Sequence, residues 1–136
     1  MPQKRKHDAS LECKYAWLLG LAGHLGFKVV DGKEDLILIE DKIITINPRQ
    51  PTFKKIIGLA HELGHAVTLP ACVEQFGKRV IYGNVKYWPS LEAELLAWSA
   101  ADAFMGMLGL YNNKYVKLKH TFLRGYYRIT KKKNIS

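Results

Sequence analysis

The feature that most constrains this chain is the run His61-Glu62-Leu63-Gly64-His65, set between Ile56-Ile57-Gly58-Leu59-Ala60 and Ala66-Val67. Phe53, Ile56, Ile57, Ala60, Leu63, Gly64 and Val67 recur at helical spacing, which predicts a buried helix. At 3.6 residues per turn, positions i and i+4 project from one side, so His61 and His65 can approach one metal ion without bending the backbone. Both lie off the apolar stripe, on a strip with Lys54, Gly58 and Thr68, and are expected to face a cleft or solvent rather than the core. Glu62, next to His61 on the helix surface, is placed to take a proton from water activated by the ion instead of binding the ion. Three fixed residues can arise by chance; the helical stripe around them is what favours a zinc site.

With 136 residues, 48% of them hydrophobic, the chain has room for one domain and one core. Cys13 and Cys72 are too few for a disulfide framework, and their apolar neighbours point to reduced, buried thiols and a cytoplasmic setting. The formal charge of +9 belongs to the ends: residues 1–10 carry a net +2, residues 111–136 carry eight basic and no acidic side chains, and the residues between sum to −1. The expected organisation is a basic N-terminal extension over 1–10, a catalytic body over 11–110 and a basic, aromatic C-terminal segment over 111–136.

Lys4-Arg5-Lys6 ahead of the apolar Ala16–Ala22 has the outline of a secretory signal, but Asp8, Glu12 and Lys14 interrupt it. Leu11, Tyr15, Leu18, Ala22 and Leu25 share a helical face, with Asp8 or Ser10 as cap and Gly26 as stop, so a packed amphipathic helix is expected, with His24 near the surface. No apolar run reaches the ~20 residues a membrane span needs. The period then changes: Phe27–Val30, Leu36–Ile39 and Ile43–Ile46 read as strands of a small antiparallel sheet, the last two joined by Glu40-Asp41-Lys42. Asn47–Pro51 breaks the sheet, Thr52 is placed to cap the motif helix, and Pro70 to end it. Gly83-Asn84 between Arg79–Tyr82 and Val85–Trp88 has the chemistry of a hairpin turn. After Pro89, Ser90 can cap a helix to about Gly109 that is apolar on nearly every side, with Leu95, Leu96, Trp98, Phe104, Met105 and Leu108. Within it Glu94 and Asp102 call for a partner or a metal, because an unpaired buried carboxylate is costly. The fold class is therefore α+β, a small antiparallel sheet packed on helices with the His-Glu-Leu-Gly-His helix at its core.

This order of elements, with Ile44-Thr45-Ile46-Asn47 before Ala60–His65 and a later helix bearing Glu94-Leu95-Leu96-Ala97, resembles the ImmA/IrrE-like zinc metallopeptidases over roughly residues 11–108. The resemblance implies a minimal zincin-like metallopeptidase domain with Zn2+ as cofactor. It implies His61, His65 and Glu94 as ligands and Glu62 as catalytic base, an arrangement similar to that of thermolysin-type gluzincins. One departure stands out. Trp98 occupies the place where the family usually has Asn or Asp to partner a ligand histidine, so the tuning of the metal is expected to differ. Spacing alone does not separate Glu94 from Glu92. With Ser90 as cap, Glu92 lies in the first turn, where the helix dipole favours a carboxylate without a metal, whereas Glu94 is deeper and shares a face with Trp98 and Ala101. Asp102 and His120 are the next candidates. His120, Tyr82, Tyr87 and Tyr111 all qualify as oxyanion stabilisers.

Relatives in that family cleave transcriptional repressors or regulators of phages, mobile elements and stress responses. The implied activity is thus zinc-dependent endopeptidase cleavage of a separate protein substrate of that kind. The alternative is a regulatory metal-binding module that engages an acidic protein or nucleic acid without catalysis. Tyr111, Tyr115, Phe122, Tyr126 and Tyr127 interleave with eight basic residues in the C-terminal segment. That composition suits a solvated closing helix first, docking of an acidic protein surface second and nucleic acid third.

Overall fold

The computed structural model describes the backbone of residues 2–76 and 91–135 and the side chains of 10–71, 74 and 91–124. Its elements run α1 (Pro2–His24), β1 (Lys28–Asp31), β2 (Leu36–Leu38), β3 (Ile43–Ile46), α2 (Thr52–Phe76), α3 (Leu91–Met107) and α4 (Asn113–Ile135). The expected hairpin over Arg79–Trp88 and the cap Ser90 lie outside the described residues. Among the described residues the protein is α+β, with four helices and one three-stranded sheet.

The apolar stripe of α1 packs as its spacing requires: Leu18 and Ala22 are buried, and Leu11, Tyr15 and Leu25 lie against the same core. Gly26 ends the helix at φ 85, a conformation in which a side chain would be strained. The helix begins at Pro2, ahead of both expected caps, so the basic N-terminal residues continue it; proline suits a first helical turn because its missing N–H has no helical partner there. Cys13 is exposed, which corrects its expected burial, while the side chain of Cys72 lies outside the described residues. Cys13 falls off the stripe that Leu18 and Ala22 define.

The sheet is mixed rather than antiparallel. Its order is β1-β3-β2, with β2 antiparallel to β3 and β1 parallel to β3. The short link with Lys42 at φ 55 dictates the β2–β3 hairpin. The turn from β1 to β2 carries the chain past a strand position that β3 then fills. Ile44 and Ile46 point inward from this central strand and are fully buried, in keeping with the two-residue period of a strand. Asp35, just before β2, pins the loop that leads from β3 to α2 by accepting from Asn47 N (2.8 Å) and Gln50 Nε2 (2.8 Å).

Helix α2 packs on α1, on the sheet and most extensively on α3. Lys55 N donates to Pro51 O (3.0 Å), so Thr52 is already helical, and its hydroxyl donates to Glu12 (3.3 Å) instead of capping. The helix also passes through Pro70 to Phe76. Proline removes the N–H that would serve the Ala66 carbonyl, but at an exposed position one lost bond does not stop the helix. In α3 one face is buried, through Ala93, Glu94, Ala97, Trp98, Ala101 and Met105, while Leu95 and Met107 are exposed, so its burial is narrower than its composition suggests. Asn112 Oδ1 accepts from Tyr115 N (3.0 Å) at the start of α4. Tyr115 and Leu123 then enter the same core as Leu18, Ile44 and Ile56. Among the described residues no helix is long and apolar enough to cross a membrane.

Candidate metal centre

The site begins with a glycine. A Cβ at Gly64 would collide with the backbone carbonyl of Ala97, so α2 and α3 meet there at a distance only glycine permits. Glu94 lies about one turn before Ala97 on the same face of α3, and this approach sets its carboxylate between the two histidines. His61 Nε2 is 2.8 Å from Glu94 Oε2, and His65 Nε2 is 2.8 Å from Glu94 Oε1. The imidazoles meet edge to face with centroids 4.7 Å apart. One ligand atom from each of His61, His65 and Glu94 lies within 4.8 Å of the others.

The histidines therefore do not face open solvent. His65 is 6% and Glu94 0% exposed. The His61 side chain is 14% exposed. The strip they occupy on α2 is the one that α3 covers. Glu62 is likewise buried rather than on the helix surface, with Oε2 3.4 Å from His61 Nδ1. Burial alone would lower the His61 pKa, but the Glu62 carboxylate and then Glu94 outweigh it and push the value up to about 10. Burial would raise the Glu94 carboxyl, yet the hydrogen bonds with His61 and His65 pull it down to about 2. Two imidazole nitrogens and a carboxylate held this way are the donor types zinc takes, and a divalent cation would stand in for the proton that now balances Glu94.

Trp98 covers the site from α3. Its ring stacks on His61 with centroids 4.3 Å apart and planes 12° apart, and its Nε1 has no hydrogen-bond partner among the described residues. The sequence marked position 98 only as a departure in residue type; a stack between residues 61 and 98 has no periodic signature. The remaining candidates fall elsewhere. Glu92 is exposed, and so are His120 and Tyr111. Asp102 is engaged by Tyr115 Oη (2.6 Å) and Lys119 Nζ (2.8 Å), which supplies the partner its position demanded without a metal. Tyr82 and Tyr87 lie outside the described residues. No family model, no curated protein and no solved structure matches the chain.

Proposed function

We propose that the protein is a zinc-dependent endopeptidase, with His61, His65 and Glu94 holding the ion and Glu62 as the base. The observation that carries this is the convergence of two imidazoles of one helix on a fully buried carboxylate of another, with the buried Glu62 carboxylate next to His61, 3.4 Å from its Nδ1. Zinc, when bound, supplies Lewis acidity toward a peptide carbonyl and lowers the pKa of water near it. Glu62 does the proton work: its carboxylate accepts a proton from the attacking water and returns it to the leaving amide nitrogen. The buried surroundings keep both steps out of bulk water, where the charges would be weakened by solvent. Glu62 also favours catalysis over the alternative of a non-catalytic metal module, because a structural ion needs no base.

By its resemblance to the ImmA/IrrE-like peptidases, the substrate is a separate protein, a repressor or regulator of a phage, mobile element or stress response, met in the cytoplasm. The test is metal analysis with a proteome-derived peptide library read by mass spectrometry. Wild type is expected to carry about one zinc per chain, by the three-donor cluster found among the described residues, and to cleave. Glu62→Gln keeps the zinc and loses cleavage, since the amide is nearly isosteric but accepts no proton. Wild type that stays zinc-free on reconstitution, or Glu62→Gln that cleaves at the wild-type rate, overturns the reading.

A further inference from the structure

We propose that Trp98 is a positioning residue for the metal centre: its indole face, stacked on His61, holds that imidazole with Nε2 turned toward Glu94 and His65. This rests on the metal reading above. An imidazole that binds a metal needs its ring orientation fixed, ordinarily by a hydrogen bond at the nitrogen away from the ion. For His61 that nitrogen is Nδ1, and the carboxylate oxygen facing it, Glu62 Oε2, is 3.4 Å away, beyond the usual N–H···O range. Besides the Nε2 contact with Glu94, the restraint on the ring is the stack. With planes 12° apart and centroids at 4.3 Å, turning the imidazole about its Cβ–Cγ bond drives its edge into the indole. Stacking also suits an imidazole made electron-poor by a proton or a cation, because the indole face carries negative charge density.

The indole itself is fixed. Trp98 is buried and lies against Phe122 (centroids 5.9 Å) and Tyr115 (6.4 Å) of α4. Tyr115 is in turn anchored by its hydroxyl on Asp102 (2.6 Å). Trp98 Nε1 finds no acceptor among the described residues, and the contact this position makes with the site is through its ring face on His61. A benzene ring therefore replaces it, and an aliphatic chain of adequate volume does not.

The experiment measures zinc affinity against a chromophoric chelator, and the visible spectrum of the Co2+-loaded protein, for wild type, Trp98→Phe, Trp98→Leu and Trp98→Met. Far-UV circular dichroism of chelator-treated samples checks folding, and two aliphatic variants are used so that failure of one to fold leaves the other. Trp98→Phe is expected to bind zinc within about threefold of wild type and keep the Co2+ spectrum. The folded aliphatic variants are expected to bind about 10–100-fold more weakly, the usual loss when a ligand's orienting partner is removed, with an altered Co2+ spectrum. A folded aliphatic variant that matches wild type in affinity and spectrum overturns the proposal. So does Trp98→Phe falling as far as the aliphatic variants. Wild type that binds neither ion overturns the metal reading itself, which is a distinct result.

Discussion

A carboxylate with no exposed surface persists in a folded protein only if its charge is met, and at Glu94 two imidazoles meet it. Glu92, two residues earlier, is exposed. Both lie in the first turn of α3, so the helix dipole that was expected to single out Glu92 acts on both, and burial is what separates them. Glu94→Gln is expected to lower zinc affinity by orders of magnitude and abolish cleavage, whereas Glu92→Gln costs about 0.3–1 kcal/mol of stability and keeps the ion. Zinc retained after dialysis against a weak chelator decides between them. A second expectation concerns pH in chelator-stripped protein. The His61 pKa is raised, so its contribution to stability is complete below its ordinary 6.5 and is lost as pH rises through about 10. The Glu94 pKa is lowered, so its contribution is complete above its ordinary 4.5 and is lost as pH falls toward about 2. These two groups therefore favour a stability maximum between about 4.5 and 6.5, while zinc affinity rises with pH above that window as the competing proton leaves. Denaturant titrations and zinc competition across pH 4–9 check both arms; stripped protein that gains stability from pH 6.5 to 9 would contradict the first.

At the scale of elements, Gly64 sets how closely two helices meet. Gly64→Ala gains about 1 kcal/mol of helix propensity but forces a Cβ into the Ala97 carbonyl, a backbone group that cannot swing aside. Overpacking of that kind costs about 1–3 kcal/mol. The expected outcome is a lower Tm together with weaker zinc binding, because α3 must move and carries Glu94 with it. A higher Tm in a thermal melt would show that the helices do not press on each other here. The same contact explains what the sequence revealed of the site. The i, i+4 spacing brings His61 and His65 together within one helix, so their pairing was legible. Which way they face depends on where α3 docks, and no local period records that. Strand positions were legible in the alternation of β3, but parallel pairing of β1 depends on β3 entering between two earlier strands. Pro70 misled for a different reason: the helix loses one bond there, and α2 was already long enough to continue.

Across the whole molecule, α4 is both the most basic described element and a contributor to the core. Charge counting set residues 111–136 apart, yet Tyr115 and Leu123 share the core with the sheet and α1, and Tyr115 with Lys119 provides the partners of Asp102. Truncation after Leu110 therefore removes the buried side chains of Tyr115 and Leu123 and leaves Asp102 without either partner. Loss of one large buried side chain costs about 2–5 kcal/mol, against about 5–15 kcal/mol for a typical domain, so the combined loss approaches the whole stability. That truncation is expected to give a chain without a cooperative melt and without bound zinc. Truncation after Arg124 is different. It keeps Tyr115, Lys119 and Leu123 and removes Arg128 and Lys131-Lys132-Lys133, so the melt and the zinc are expected to survive. If the removed charges dock an acidic partner, the wild type binds an acidic polypeptide such as polyglutamate with affinity that falls steeply between 50 and 200 mM salt, because screening shortens to about 10 Å near 0.1 M. The Arg124 truncation then loses most of that affinity. Circular dichroism melts of the two truncations, alongside a salt series for the longer one and the full chain, separate the structural part of α4 from its charged end; a cooperative, zinc-binding product of the Leu110 truncation would show that α4 closes no core at all.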